Sequence, residues 1–313
     1  MTRPRGGETA KATRRIPVPG SEAAQPSDRA DASKRAAAPG LHLVATPIGH
    51  AADITLRALD VLRDADLVAC EDTRVSAKLF ALHGITTARV AYHEHNGERM
   101  RPRLLALLQA GRAIALVSDA GTPLVSDPGY KLVQAVLEAG LPVHVEPGAS
   151  APLAALLLSG LPSDRFLFAG FLDSRQAARR RDLESLAAVP ATLVFFEAAP
   201  RLAASLADMA AVLGDRPAAV ARELTKRFEE VVRAPLVTLA RRYAESGPPK
   251  GEIVVVVGGP LAVVTTEDEL DRRLRLALDG ASLRDAAAAV AAALGLPRRT
   301  VYARALALAG EAE

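Results

Sequence analysis

Four stretches of this 313-residue chain hold the residue types that chemistry needs. Glu71-Asp72-Thr73-Arg74 sets two adjacent carboxylates beside a guanidinium. Such a group can orient a polar substrate or take a proton. Its ordinary alternative is helix capping, with Asp72 or Thr73 as N-cap and Arg74 in surface pairs, and on these residues alone capping is favoured. Tyr92-His93-Glu94-His95-Asn96 offers two imidazoles at i, i+2. Without cysteine or further carboxylates that spacing makes a poor zinc set, and no metal is expected. Arg222-Glu223-Leu224-Thr225-Lys226-Arg227 concentrates cations that either hold phosphates or stand as a solvated charge run. Arg175, Arg179, Arg180 and Arg181 form a further basic patch, the best candidate surface for a polyanion.

A long loop, Ser118 to Gly129, follows the apolar run Ala113–Val117. It reads as a connection at the carboxyl end of a buried strand, where open α/β sheets bind ligands. Gly121 and Gly129 permit positive φ or a close approach of backbone to a ligand. Pro123 and Pro128 stiffen it, and Asp119, Thr122, Ser126 and Asp127 supply polar groups. An ordinary helix start, with Asp127 as N-cap and Pro128 at the first helical position, accounts for its last residues. It leaves the preceding residues unexplained, since such connections usually need only about 2–6.

The elements that position these stretches alternate. Strands are expected at Leu41–Thr46, Asp66–Ala69, Arg89–Ala91, Ala113–Val117 and Pro142–Val145, with helices at Ile54–Arg63, Val75–His83, Glu98–Ala110 and Tyr130–Ala139. This pattern predicts a mostly parallel sheet with helices on its faces, an α/β domain over 41–150. Ser150 stands as N-cap of a helix Ala151–Ser159. A second α/β domain over 151–258 is expected from strands at Arg165–Ala169, Ala191–Phe196, Ala218–Ala221, Phe228–Arg233 and Glu252–Val257. Helices fall between them at Gln176–Ala188, Arg201–Val212 and Leu236–Ala244, and Gly258–Thr266 reads as a linker. Three helices close the chain over 267–313, at Glu267–Leu278, Ser282–Ala293 and Arg298–Leu308. The turn Leu294-Gly295-Leu296-Pro297 makes the last two helix-turn-helix-like, with Arg298, Arg299 and Arg304 as a basic face.

Composition narrows the classes. Hydrophobic content of 50% and charged content of 24% are ordinary for a soluble globular protein. One cysteine, Cys70, excludes an internal disulfide and reads as a small core residue, consistent with a reducing cytoplasm. No stretch reaches the length of a membrane helix, and no signal-peptide hydrophobic region stands at the start. Residues 1–40 lack apolar periodicity and read as a disordered tail. They hold eight Lys/Arg against four acids, so residues 41–313 carry about −1. Phosphate contacts must therefore come from local clusters. The G-x-G-x-x-G, G-x-x-x-x-G-K-[ST] and H-E-x-x-H fingerprints are absent.

Seven motifs in register carry a family resemblance: Leu43-Val44-Ala45-Thr46-Pro47-Ile48-Gly49, Cys70–Arg74, Tyr92–Asn96, Ala115–Pro123, Ser126–Tyr130, Pro147–Ala151 and Arg222–Lys226. Together they resemble the ribosomal RNA small subunit methyltransferase I family of the tetrapyrrole (corrin/porphyrin) methylase superfamily, over about residues 41–258. The resemblance implies two α/β domains with an S-adenosyl-L-methionine cleft between them, a cytoplasmic homodimer, and 2′-O-methylation of a cytidine ribose in the decoding region of 16S rRNA within the 30S subunit. It implies no metal and no membrane. Thr46, Pro47, Asp119, Ala120, Gly121, Thr122, Ser126, Asp127, Pro128, Gly148, Ser150 and Ala151 would line the cofactor side. Arg74, His93, His95, Asn96, Arg179, Arg180, Arg181 and Arg222 would face the RNA. A ribose hydroxyl is a weak nucleophile that must be aligned and relieved of its proton. Glu71, Asp72 and Lys226 are the candidate acceptors, and sequence does not choose among them. A precorrin-type methyltransferase and a non-catalytic RNA-associated module are the alternatives.

Overall fold

The computed structural model describes residues 37–260, 267–294 and 296–310. The expected tail up to residue 36, most of the linker and Gly295 of the last turn lie outside the described residues. The chain divides into two compact units, one of residues up to Thr46 and Ile54–Gly148, the other of Pro47–Asp53 and everything from Ala149 onward. The chain thus passes between units at Thr46–Pro47, at Asp53–Ile54 and at Gly148–Ala149, and the short segment Pro47–Asp53 belongs with the second.

In the first unit, β1 (Gly40–Val44), β2 (Leu67–Cys70), β3 (Arg89–Ala91), β4 (Ala113–Val117) and β5 (Val143–Glu146) form one sheet in the order β3-β2-β4-β1-β5. Every pairing is parallel, as the alternation predicts. All five residues of β4 are buried, because a strand inside a parallel sheet is covered on both faces. Successive side chains point to opposite faces. Val44, Val68, Cys70, Ala115 and Val117 pack with α1 (Leu56–Asp64) and α2 (Thr73–Leu82), through Leu59, Leu62 and Phe80. Leu41, Ala69, Ile114 and Leu116 pack on the other face with α3 (Gly97–Gln109) and α4 (Tyr130–Glu138), through Leu104, Leu108, Leu132 and Val136. Cys70 is buried and burial raises its thiol pKa, in keeping with a core role.

The second unit departs from the parallel pattern. Its strands β6 (Phe166–Phe171), β7 (Thr192–Ala198), β8 (Pro217–Arg222), β9 (Glu230–Pro235) and β10 (Glu252–Val257) run in the order β6-β7-β10-β8-β9. Only β6 and β7 are parallel; the other three pairings are antiparallel. A strand turned the other way in a sheet covered by helices on both faces keeps the same continuous apolar run, so periodicity does not reveal it. On one face Phe195, Val220 and Val255 meet α6 (Gln176–Leu186), α7 (Leu202–Leu213) and α8 (Leu236–Ser246), through Leu183, Leu206 and Leu239. On the other, Val194, Ala219, Ala221 and Val256 meet Ala155 and Leu156 of α5 (Ala151–Ser159) together with Ile48 and Leu224. The helices α9 (Glu267–Leu278), α10 (Leu283–Leu294) and α11 (Arg298–Gly310) build a small core of their own around Leu274, Val290 and Val301. Ser282 caps α10, its Oγ accepting from the Asp285 amide at 3.2 Å. Arg304, expected on a basic face, instead pairs with Asp271, Nε to Oδ1 at 2.7 Å.

One expectation for the RNA surface is overturned here. Arg179 is 4% exposed. Its Nη2 lies 2.6 Å from Oδ2 of Asp208 on α7, and its Nη1 donates to the Asp173 and Ser174 carbonyls. The α6 periodicity turns this arginine onto the helix pair, where it neutralises a buried carboxylate, while Arg181 stays exposed. Arg180 is exposed, its side chain 47% accessible, yet its Nε donates to Asp208 Oδ1 at 2.7 Å. Burial opposes the charge on Asp208, yet the donors Arg180, Arg179 and Gln176 hold its carboxyl below the usual range. Asp208→Ala would leave Arg179 buried without a counter-charge. An expected loss of about 3–5 kcal/mol should appear as a lower urea midpoint. Arg181→Ala should stay within about 0.5 kcal/mol of the parent.

Candidate functional site

The first unit's site is assembled at the carboxyl ends of β1, β2 and β4. Thr46, just past β1, exchanges backbone hydrogen bonds with Gly121 at 2.9 and 3.1 Å, and its Oγ1 donates to the Ser118 carbonyl at 3.2 Å. Thr46 and Ser118 are both buried. The 118–129 loop is therefore tied down at its start. Gly121 stands at φ 79, as its glycine suggests, and Leu124 and Ser126 hold φ of 74 and 67 without being glycine. Each such residue costs about 1–3 kcal/mol and persists only where its surroundings fix it, a pattern that clusters at functional sites. Gly129 at φ 135 caps α4; a Cβ there would come within 2.8 Å of Leu116. The helix thus begins at Tyr130, and Asp127 is not its N-cap.

Asp127 turns instead toward Ser118 and Glu71. Burial first and the charge of Glu71 second push its carboxyl up to about 6, against a hydrogen bond from Ser118. Glu71, just past β2, is also raised, by burial and then by the charge of Asp119. Asp119 Oδ1 accepts from the Asp72 amide at 3.0 Å, so the loop after β4 fixes the turn after β2. These three carboxylates crowd one another, and among the described residues no Lys or Arg forms a salt bridge with Glu71 or Asp127. Asp72 is the N-cap of α2, as the capping alternative anticipates, accepting from the Arg74 amide at 2.8 Å. The Arg74 guanidinium holds its carboxyl down at about 2. A group that ionised is a weak proton acceptor, which points away from Asp72 as base.

His93 carries a buried Nδ1 without a hydrogen-bond partner, and its positive form would favour the Glu71 carboxylate. His95 meets it edge-on, ring centroids 6.0 Å apart. Asn96 serves the turn itself: Oδ1 accepts from the His93 amide and Nδ2 donates to the Ala91 carbonyl. Gly148 passes close under β1, where a Cβ would meet that of Ala45 at 2.9 Å. Among the described residues no group of three or more His, Cys, Asp or Glu side chains is arranged to hold a metal ion, and no helix is long and apolar enough to cross a membrane.

In the second unit, Pro47 leads into a segment that folds onto the loop after β8. Ile48 is buried beside Leu224, the His50 amide donates to Thr225 Oγ1 at 3.0 Å, and a Cβ on Gly49 would meet Leu224 O and Lys226 Cγ within 2.8 Å. That loop holds the remaining non-glycine residues with positive φ among those described, Glu223 at 51 and Thr225 at 62. Lys226 Nζ sits between Glu223 Oε1 at 2.8 Å and Glu252 Oε2 at 2.9 Å. Burial works against its charge, but the two carboxylates keep its pKa raised. A lysine held in its ammonium form has no lone pair for a proton, which points away from Lys226 as base. Arg222 is engaged by Glu230 and by the Lys250 carbonyl. Ser150 precedes α5 with no side-chain cap bond, and Ala151 opens that helix. The strained loops could not be read from sequence, because a positive φ at Leu124, Ser126, Glu223 or Thr225 leaves no mark in residue type.

Residues 40–240 match the family model described as tetrapyrrole (corrin/porphyrin) methylases, and residues 264–309 match an RsmI C-terminal HTH domain. A ribosomal RNA small subunit methyltransferase I of Mesorhizobium japonicum is 53% identical over 86% of this chain and 92% of its own. Its counterpart in Micromonospora olivasterospora is 49% identical over 88% and 90%. Among solved structures, uroporphyrin-III C-methyltransferase from Thermus thermophilus complexed with S-adenosyl homocysteine matches with a TM-score of 0.51 at 24% identity, over 69% of this chain and 96% of that one, which shows the fold alone. The chain belongs to the tetrapyrrole (corrin/porphyrin) methylases and, within them, to the ribosomal RNA small subunit methyltransferase I family.

Proposed function

We propose that this protein methylates the 2′-hydroxyl of a cytidine ribose in the decoding region of 16S rRNA, in the context of the 30S subunit, with S-adenosyl-L-methionine as donor and as a cytoplasmic homodimer. Family membership supports rRNA methylation. The observation that carries the reading to a ribose hydroxyl is Glu71, a carboxylate made more basic than usual by burial and by Asp119. A general base gains efficiency as its pKa rises toward the working pH.

The donor set suits the cofactor. It supplies a methyl group on a positively charged sulfur, and the crowded carboxylates Glu71, Asp119 and Asp127 form a cluster short of positive charge. Gly121 at positive φ, with Thr46 clamped to it, gives a backbone edge suited to close approach. Asp119, Ala120, Thr122, Ser126, Pro128 and Gly148 are the further residues of this unit assigned to it. Glu71 takes the hydroxyl proton as the oxygen becomes nucleophilic. Asp119 holds Glu71 in place through the neighbouring Asp72 amide. Asp72 and Arg74 remain a surface pair, with Arg74 exposed to RNA phosphates. Arg181, His93 and His95 are the other residues assigned to the RNA side.

Three measurements test this. Glu71→Gln should lower the single-turnover methyl-transfer rate on 30S subunits by about 10²-fold or more, while leaving S-adenosylhomocysteine affinity near the parent value. A full rate would remove Glu71 as acceptor. Asp119→Asn keeps the acceptor for the Asp72 amide but deletes a negative neighbour of Glu71. The Glu71 pKa should then fall, and the acid limb of the pH–rate profile should move to lower pH; an unmoved or rising limb contradicts the assignment. In calorimetry, S-adenosylhomocysteine should bind without added divalent ion. Gly121→Val should abolish that binding, because φ 79 and a branched side chain are incompatible.

A further inference from the structure

The loop after β8 displays an aromatic ring that the methyl-transfer scheme does not use. Phe228 is 65% exposed, and the Arg227 guanidinium lies 5.6 Å above its ring. A single exposed phenylalanine is ordinary on a protein surface; the way this one is held is not. On its N-terminal side Glu223 and Thr225 keep strained positive φ. The Lys226 amide donates to Glu223 O at 3.0 Å and the Glu229 amide to Lys226 O at 3.1 Å. The Thr225 amide donates to Glu229 Oε2 at 2.6 Å, closing the turn across Arg227 and Phe228. Lys226 is anchored between Glu223 and Glu252, and Thr225 to the His50 amide.

Charge distinguishes the two residues as well. Of the cations in this loop, Arg222 is held by Glu230 and Lys226 by Glu223 and Glu252. Arg227 has no carboxylate partner among the described residues and is exposed. A fixed turn thus presents an open aromatic face and a guanidinium available to an anion, side by side. That pairing is complementary to a nucleotide, whose base offers a π-face and whose backbone offers a phosphate.

We propose that Arg227 and Phe228 form a nucleotide clamp, in which Phe228 stacks on an unpaired base of the RNA and Arg227 takes an adjoining phosphate. The proposal rests on the reading of RNA as substrate. It supplies a grip on an unpaired, unstacked nucleotide of the RNA, the form in which single-stranded RNA is read by proteins. Stacking on an aromatic accepts any base, so the clamp contributes grip and alignment rather than base identity.

The chain contains no tryptophan, so Phe228→Trp places a single indole reporter at this position. Titrating the full-length Phe228→Trp protein with 30S subunits, or with a single-stranded oligonucleotide of the decoding-region sequence, should quench its fluorescence through base stacking. Phe228→Ala and Phe228→Leu should each weaken RNA affinity by roughly 5- to 100-fold. Both should keep the parent's thermal midpoint and S-adenosylhomocysteine affinity, since the ring is exposed. Arg227→Gln should make the slope of log affinity against log salt shallower by about 0.7. Unchanged affinity in Phe228→Ala together with an unquenched indole overturns the clamp. So does indole burial that grows with protein concentration in the absence of RNA, which would assign the ring to a second copy of the chain. The two readings fail separately. RNA binding and quenching without methyl transfer by the parent would sink the rRNA methyltransferase reading, and normal methylation with parental affinity in the Phe228 variants would sink the clamp alone.

Discussion

The first unit depends on the pair of backbone hydrogen bonds between Thr46 and Gly121. They join the end of β1 to the loop that leaves β4, and the Thr46 hydroxyl adds a third bond to Ser118. With that end fixed, Asp119 reaches the Asp72 amide, and Glu71 next to it is placed beside Asp119 and Asp127. Each step is a short polar contact in a partly dry environment, where a hydrogen bond is strong and a missing partner is costly. The parallel sheet below provides the rigid base. β4 is buried along its whole length and cannot shift register without moving every residue to the wrong face.

The second unit solves the same problem of holding a loop with charge. Glu223, Lys226 and Glu252 form a compact network in which every charge has an opposite neighbour. Gly251 at φ 98 allows it, because a Cβ there would sit 2.3 Å from Glu223 Oε1. Lys226 thus ties this loop together, and the sequence motif around it marks the geometry of a turn. In both units, strained residues without the help of glycine stand where polar contacts over-determine the backbone.

Much of this was legible in the residues. The strands β3, β4 and β10 and the helices α5 and α9 fall where hydrophobic runs and helical periods put them. The capping role of Asp72 follows from its residue type and position. The direction of β7 through β10 was not legible, since buried antiparallel and parallel strands share one apolar pattern. Nor was the fate of the arginines. Arg179 and Arg181 are two positions apart in a charged run, yet the roughly half-turn of helix between them sends the first inward to Asp208 and the second to solvent. Which carboxylate becomes basic depends on neighbours distant in sequence: Asp119 acts on Glu71, and Glu71 on Asp127, although they lie after different strands.

The excursion of Pro47–Asp53 into the second unit bears on how the chain is made. The His50 amide and the Thr225 hydroxyl that accepts its hydrogen bond are 175 positions apart along the chain. During synthesis Ile48 emerges long before Leu224, Val194 and Ala155, the residues that bury it. The first unit can therefore close its sheet while this apolar segment still lacks its seat, and the second unit cannot finish its core until the polypeptide is nearly complete. Contacts so remote in sequence form slowly, because the loop they close is entropically expensive. The nascent protein accordingly spends much of its birth with an apolar segment exposed, a vulnerable interval in which chaperone capture or aggregation competes with maturation.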